Sequence, residues 1–401
     1  MKNNLPSIIK LIKSTFYKET STKRALCKFI SSAKQLSIGP QCYSFEKNFA
    51  KWQGKKYCVF FNSGSSANLA IVQALLNLGM VKKNDLTGFS AITWATNPMP
   101  LIQLGLQTIP IDVELNTLNV SSEKLMEFLK INSIKMLFIT NLLGFCDDIE
   151  KIKQICDQKG ILLIEDNCES LGTVYKDKKL GNYGLASTFS FFVGHHMSTV
   201  EGGAVCTDDL EIATMLKLVR AHGWDRNLEV DEQNKLRKEH KVESSFYSKY
   251  TFYDLGYNLR PTEINGFLGN NQLKYLDEIV KKRQDNFLKL VKAINARTDL
   301  YYPLKYDHIS LISNFAYPVI CRSKKIRDKL IEKCEGVIEI RPIVGGDMTH
   351  QPFYKKYMPQ FEKMLGNSNA DIIKEQGLYF GNNPEMTQKE IGILIKTFTN
   401  L

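Results

Sequence analysis

"SFFVGHHMSTVEGG", Ser190 to Gly203, joins two β-rich runs, "STFSFF" and "GGAVCT", through a loop that carries two adjacent histidines and one acid. Whatever the imidazoles do, they do at the end of a strand. Upstream the same kind of run recurs as "YCVFF", "TIPIDV", "KMLFIT" and "ILLIED", and helical patterns separate the runs. In "NLAIVQALLNLG" the side chains of Leu69, Val72, Leu75 and Leu76 share one helical face, and "EKLMEFLK" and "IEKIKQICDQKG" follow. Strand and helix alternating from about residue 57 to 207 predict an α/β domain whose mostly parallel sheet is covered on both faces.

Past this region the pattern changes. "NLEVDEQNKLRKEHKVESS", residues 227–245, is polar, charged and without apolar period, so it reads as an exposed loop. One long helix is expected from Glu263 to about Leu290, and "LISNFAYPVIC" with "KKIRDKLIEKCEG" suggests a smaller α+β domain. The expected division is therefore an unassigned N-terminal segment over 1–34, a large α/β domain over 35–262, and a linking helix with a small C-terminal α+β domain over 263–401.

Composition narrows the function. A chain of 401 residues, 43% apolar and 24% charged, can bury a sizeable core. It has no apolar run long enough to span a membrane and no secretory signal pattern at its start, so the expected location is the cytoplasm. Nine cysteines without a CxxC or CxC spacing argue against a zinc site or a disulfide framework, and no metal is expected. The net charge of +11 is dispersed along the chain instead of forming one basic run. That favours a small anion, such as a nucleotide-linked or phosphorylated ligand, over nucleic acid.

Three further stretches carry candidate chemistry. "NSGSSANLA", from Asn62, puts Ser65 and Ser66 in a small-residue turn entering a helix, where free N–H groups and the helix dipole suit a phosphate. A plain serine N-cap would look the same. "LLIEDNCES" ends a strand with Glu165 and Asp166 at the carboxyl edge, where an acid could hold a cationic ring nitrogen or merely cap a loop. "ITWATNP" sets Trp94 at another strand end, suited to stack on a planar ligand or to fill the core.

The order of these pieces, phosphate turn, aromatic, strand-end acid, then Ser190, the histidine pair and "EGG", resembles the fold-type I pyridoxal phosphate enzymes. Within them it is similar to the sugar aminotransferase and dehydratase family (DegT/DnrJ/StrS type), across roughly residues 35 to 400. The resemblance implies an aspartate aminotransferase-like fold, with a mostly parallel seven-stranded sheet in the large domain. In that family a serine stands five residues before the lysine that tethers the cofactor, and the acid of "EGG" six after it. Ser190 and Glu201 keep both spacings around position 195, which here is histidine.

Imidazole cannot hold the cofactor as a stable imine, but it can move protons near neutrality. A branch of the family has this histidine and holds pyridoxamine phosphate noncovalently: the 3-dehydratases of nucleotide-linked 4-keto-6-deoxy sugars. "EDNCESLG", "NLLGF", "RAHGWDRN", "GYNLRPTE", "RPIVGG" and "GLYFGNN" look like segments of that branch. A second branch with the same histidine carries an iron–sulfur cluster on four cysteines. Cys168 matches the first of these, but residues 220–250 contain no cysteine, so no cluster is expected.

By resemblance, Asp166 would sit against the cofactor's ring nitrogen, Trp94 would stack on the ring, and Ser65, Ser66 and Ser190 would bind its phosphate. Asn258 would reach that phosphate from a second subunit, implying a homodimer with shared active sites. His195 would be the general base and acid, with His196 the alternative if the register is shifted by one. Glu169 would contact the cofactor amine or the departing hydroxyl, or be a surface acid. His222, Arg226, Arg260 and Arg341 would line the nucleotide-sugar pocket, where guanidinium forks suit a pyrophosphate.

The implied reaction removes the C3 hydroxyl of a 4-keto-6-deoxy sugar linked to GDP or another nucleotide, a hexose or a heptose. It releases ammonia and converts pyridoxamine phosphate to pyridoxal phosphate, and L-glutamate restores the amine. The alternatives are a 4-aminotransferase that has lost its lysine and a noncatalytic relative.

Overall fold

Seven strands of five residues each pair into one sheet in the structure, a computed structural model that describes residues 8–401. In space their order is Tyr57–Phe61, Gly203–Thr207, Ala186–Ser190, Leu162–Asp166, Met136–Thr140, Leu86–Ser90 and Gln107–Ile111. Gly203–Thr207 is antiparallel to both neighbours, and the other pairings are parallel. Nearly every strand residue is buried, as a sheet covered on both faces requires. Pro110, which has no N–H to give, sits in the edge strand Gln107–Ile111.

Six of the seven strands coincide with the apolar runs; the seventh, Leu86–Ser90, has no such run. Its sequence "LTGFS" is interrupted by Gly88, where a Cβ would come within 3.0 Å of the Ile111 and Ile134 side chains. Glycine is needed there for packing, and it erases the β-rich signature.

The helices Gly64–Asn77 and Leu210–Arg220 cover one face through a cluster that includes Ile71, Leu75, Phe138 and Leu216. A larger cluster covers the other face and runs without a break from Ile139 and Leu163 to Tyr317, Phe380 and Phe398. The C-terminal strands Ala316–Ile320, Gly377–Gly381 and Ile340–Pro342 form an antiparallel three-stranded sheet. No helix among the described residues is long and apolar enough to cross a membrane.

Two expectations are corrected, and the unassigned segment gains a structure. Within 227–245, expected as loop, Val230–Glu239 is helical, capped by a Glu229–Glu232 box. None of its residues is buried; it is held by Glu232 on Thr214 (2.9 Å) and by Arg237 on Asp225 (2.8 Å), contacts that apolar periodicity does not report. The single helix expected from Glu263 is two, Glu263–Leu273 and Leu276–Ile294. At their junction Gln272 binds the main chain of Tyr17, and Tyr275 packs edge-on to the Tyr17 ring at 5.8 Å, so the docking of a distant segment sets the break. The N-terminal segment is structured over its described part. Ile9 bridges to Ile338, Glu19–Ser32 is a helix, and residues 1–7 lie outside the described residues.

The helix Pro40–Gln53 is tied to the sheet by one internal ion pair. Arg220 is fully buried, with Nη1 2.5 Å from Glu46 Oε1 and 2.8 Å from the Phe60 carbonyl. Removing one charge of a buried pair strands the other. Glu46→Gln is therefore expected to cost about 3–5 kcal/mol in chemical unfolding, and a loss below about 1 kcal/mol would show that Arg220 needs no counter-charge.

Candidate active site

The parallel strands all end at one edge, and the loops that leave this edge build a cavity of about 420 Å³. Such an edge is where open α/β sheets receive ligands. Ser63, Gly64 and Ser65 follow the first strand; Trp94, Thr96 and Asn97 follow Leu86–Ser90; Asp166, Cys168 and Glu169 end Leu162–Asp166; Ser190 and His195 leave Ala186–Ser190. The opposite wall comes from Phe315, Arg341, Val344 and Tyr379, with Leu11 and Ile12 from the N-terminal segment.

The histidine loop returns through Gly203, whose Cβ would lie 2.3 Å from the Ser63 carbonyl and 2.4 Å from the Gly64 nitrogen. A Cβ on Gly64 would in turn meet Ser190 Cβ at 2.7 Å and Cys168 Sγ at 3.2 Å. These close approaches bring the first turn of Gly64–Asn77, Ser190 and the histidine loop together. Ser63 is the N-cap, accepting from the Ser66 nitrogen at 3.0 Å. The serine-cap reading therefore holds, and Ser63, Gly64 and Ser65 of that turn line the cavity. Ser66 does not line the cavity, and its hydroxyl pairs with Ser63 Oγ at 3.0 Å.

Alternation along Leu162–Asp166 sends its two acids to different places. Glu165 accepts from the main-chain nitrogens of Gly181, Tyr183 and Gly184 at 2.7–2.8 Å and is wholly structural. Asp166 is 4% exposed and lines the cavity. Its Oδ1 accepts from the Cys168 nitrogen (2.8 Å) and its Oδ2 from Asn68 Nδ2 (3.0 Å), and no cation pairs with it among the described residues. A buried carboxylate without a counter-charge suits a cationic ligand atom. Trp94 is 55% exposed at the rim, so it is not a core tryptophan.

Glu169 is buried, not a surface acid, and accepts from the Leu143 nitrogen at 3.1 Å. Burial pushes its carboxyl up to about 8; the Leu143 hydrogen bond opposes this and the Asp166 charge adds to it. The His195 ring lies 5.2 Å from Phe315 and 5.8 Å, edge-on, from Phe192. Its Nδ1 is buried without a partner, which leaves Nε2 as the nitrogen able to meet a ligand. Burial, reinforced by the Arg283 charge, pushes its pKa down to about 4, so the ring is neutral at pH 7. His196 instead points away from the cavity. Its Nε2 bonds the Ser313 carbonyl at 3.0 Å.

Besides Ser66, four of the expected residues are not in the cavity. His222, Arg226, Asn258 and Arg260 lie beyond Leu210–Arg220, which carries the chain back along the sheet. Arg226 stacks 3.7 Å over the Trp224 ring, and Arg260 Nε donates to Asn258 Oδ1 at 2.9 Å. Asn68, which holds Asp166, and Tyr379 sit inside recognised motifs but announce no role by spacing. Leu11 and Ile12 carry no signal at all.

The DegT/DnrJ/EryC1/StrS aminotransferase family model matches residues 18–399. The chain is similar to the GDP-4-keto-6-deoxy-D-mannose 3-dehydratase of Escherichia coli O55:H7, at 35% identity over 359 residues, covering 88% of this chain and 90% of that protein. It is 33% identical over 379 residues to the protein of the same name from Yersinia pseudotuberculosis, covering 93% of each. A crystal structure of GDP-4-keto-6-deoxymannose-3-dehydratase with a trapped PLP–glutamate geminal diamine matches with a TM-score of 0.85 at 32% identity, covering 97% of this chain and 100% of that one.

The state of Glu169 has a measurable consequence. A carboxyl raised from 4.5 to about 8 by folding favours the fold when protonated, so its contribution is complete at acid pH and is lost as pH rises through about 8. Glu169→Gln keeps a neutral amide at every pH. Its melting temperature should match the wild type near about pH 5 and exceed it increasingly toward about pH 9. A difference that does not change with pH would show the carboxyl to be ionised throughout.

Proposed function

The chain belongs to the DegT/DnrJ/EryC1/StrS aminotransferase family, and we propose that it is the dehydrating kind: a pyridoxamine phosphate-dependent 3-dehydratase of a GDP-linked 4-keto-6-deoxy sugar. One observation carries this reading. His195 faces the cavity from the loop after Ser190, and no lysine is among the lining residues, so nothing there can tether the cofactor covalently.

The residues present fit the cofactor. The unpaired Asp166 carboxylate suits a protonated ring nitrogen, Trp94 offers an open face to the ring, and the Gly64 cradle with Ser65 and Ser190 suits the phosphate. When bound, the cofactor supplies an amine for the C4 ketone and an electron sink adjoining it. His195 then takes a proton at Nε2, as its neutral state allows, and returns one later in the cycle. Glu169, protonated at pH 7, can donate a hydrogen bond to the departing C3 oxygen or to the cofactor. The C3 hydroxyl leaves as water, and the nitrogen leaves as ammonia. The sugar emerges as the 4-keto-3,6-dideoxy form, and glutamate restores the amine as it becomes 2-oxoglutarate.

Arg341 serves the nucleotide side from within the chain. His222, Arg226, Asn258 and Arg260 complete the site of a second copy in a homodimer. In support of this, Tyr250, Phe252 and Leu255 beside them are 57–71% exposed, an apolar surface that a partner would cover. The cytoplasm, where the charged nucleotide sugar and glutamate meet, is the compartment this reading requires.

Incubation with GDP-4-keto-6-deoxymannose, cofactor and glutamate should release one ammonia per 3-deoxy product. An amino sugar without ammonia would make the protein a 4-aminotransferase. Running the same assay with a 4-keto-6-deoxyheptose and with other nucleotides identifies the substrate. His195→Lys should form a borohydride-reducible imine with pyridoxal phosphate and lose dehydration by about 100-fold or more. Undiminished dehydration would remove His195 from the chemistry.

A further inference from the structure

On the far side of His195 from the cofactor cavity lies a second cavity of about 30 Å³, lined in part by Tyr17, His195, His196, Gln272 and Arg283. It has room for about one water. Arg283, from the helix Leu276–Ile294, is 4% exposed. Its Nη1 donates to the Asn382 carbonyl and its Nη2 to the His195 carbonyl at 3.1 Å, while Nε has no partner. No carboxylate pairs with it among the described residues, and burial pulls its pKa down to about 9. Asn382 is held in turn by the Arg283 carbonyl (2.9 Å) and Asn314 Oδ1 (2.8 Å), so the guanidinium sits in a frame of neutral acceptors.

An internal cation without an acid is costly, and an apolar side chain of similar volume would pack there at lower cost. The charge calls for a reason, and its neighbour supplies one. His195 faces His196 from its own loop, Tyr17 from the N-terminal segment and Glu385 from the loop before the last helix. Across the larger cavity it faces Asp166, Cys168, Glu169, Glu201, Arg341 and Tyr379. Of these, Arg341 is exposed and paired with Glu339 at 2.7 Å, and Glu385 binds the Ser14 hydroxyl at 2.7 Å. Arg283 is the one buried cation in the set.

We propose that Arg283 is the positioning residue of the dehydratase site: its guanidinium pins the main chain of His195, holds the imidazole turned into the cofactor cavity, and sets an unneutralised charge beside the ring that adds to the effect of burial. This rests on the reading of His195 as the base. The grip on the carbonyl fixes where the loop places the ring. The unpaired charge makes a second positive charge beside it unfavourable.

Arg283→Met removes grip and charge, and Arg283→Lys keeps the charge with a shorter reach. Histidine-labelled full-length proteins, titrated by NMR without cofactor, report the His195 ring directly, with His195→Asn identifying its signal among the six histidines. In Arg283→Met the His195 midpoint and the acid limb of kcat/KM should rise by about one pH unit or more. In Arg283→Lys both should stay at their wild-type positions while kcat falls by about tenfold. A folded Arg283→Met with both midpoints unchanged overturns the proposal, as does Arg283→Lys with wild-type kcat should the methionine variant fail to fold. If the wild type releases no ammonia from any sugar tested, the functional reading fails by itself, and the NMR titration still decides what Arg283 does to the ring.

Discussion

The site depends on one steric constraint: the main chain at Gly203 approaches the Ser63–Gly64 turn so closely that no side chain fits between them. This contact joins the antiparallel strand to the start of the first sheet-covering helix. The loop from Ser190 to Gly203 is thereby held across the mouth of that turn. The helix-start turn and the His195 ring are thus placed by the same contact, and the Gly64 cradle against Ser190 and Cys168 closes it from the other side. A methyl group at either glycine would force the helix start and the histidine loop apart.

Burial then does the chemical tuning. It acts on the charged form, so it lifts the Glu169 carboxyl to about 8 and lowers the His195 imidazole to about 4. Near neutrality an acid and a base are both left uncharged in one cavity, the acid with a proton to share and the base with a lone pair. Asp166 accepts from the Cys168 N–H and from Asn68 and has no cation beside it among the described residues, a setting that suits a cationic partner. Glu169 and His195, two titratable groups within one pocket, are therefore tuned by their surroundings more than by their chemistry.

Much of this was legible in residue order. Six of the seven strands carry β-rich apolar runs, and the helices between them carry the 3.6-residue period, because burial on a sheet face and burial on a helix face demand those patterns. Elements without such a demand escaped. Leu86–Ser90 gave up its pattern to Gly88, and Val230–Glu239 has no buried face to show. The break after Leu273 answers to Tyr17, more than 250 residues away in the chain, a contact that local propensity cannot register.

Residue order alone established that a histidine pair stands between Ser190 and Glu201, and by resemblance that His195 takes the place of a tethering lysine, since covalent order is a property of the chain. Which of the paired histidines lines the cavity was decided by packing: His196 spends its Nε2 on the Ser313 carbonyl, and His195 is on the cavity wall. The neutral state of Glu169, the unpaired guanidinium of Arg283 and the wall made by Leu11 and Ile12 likewise exist only once distant segments meet. Desolvation and charge proximity depend on three-dimensional distance, and the order of residues along a chain does not contain it.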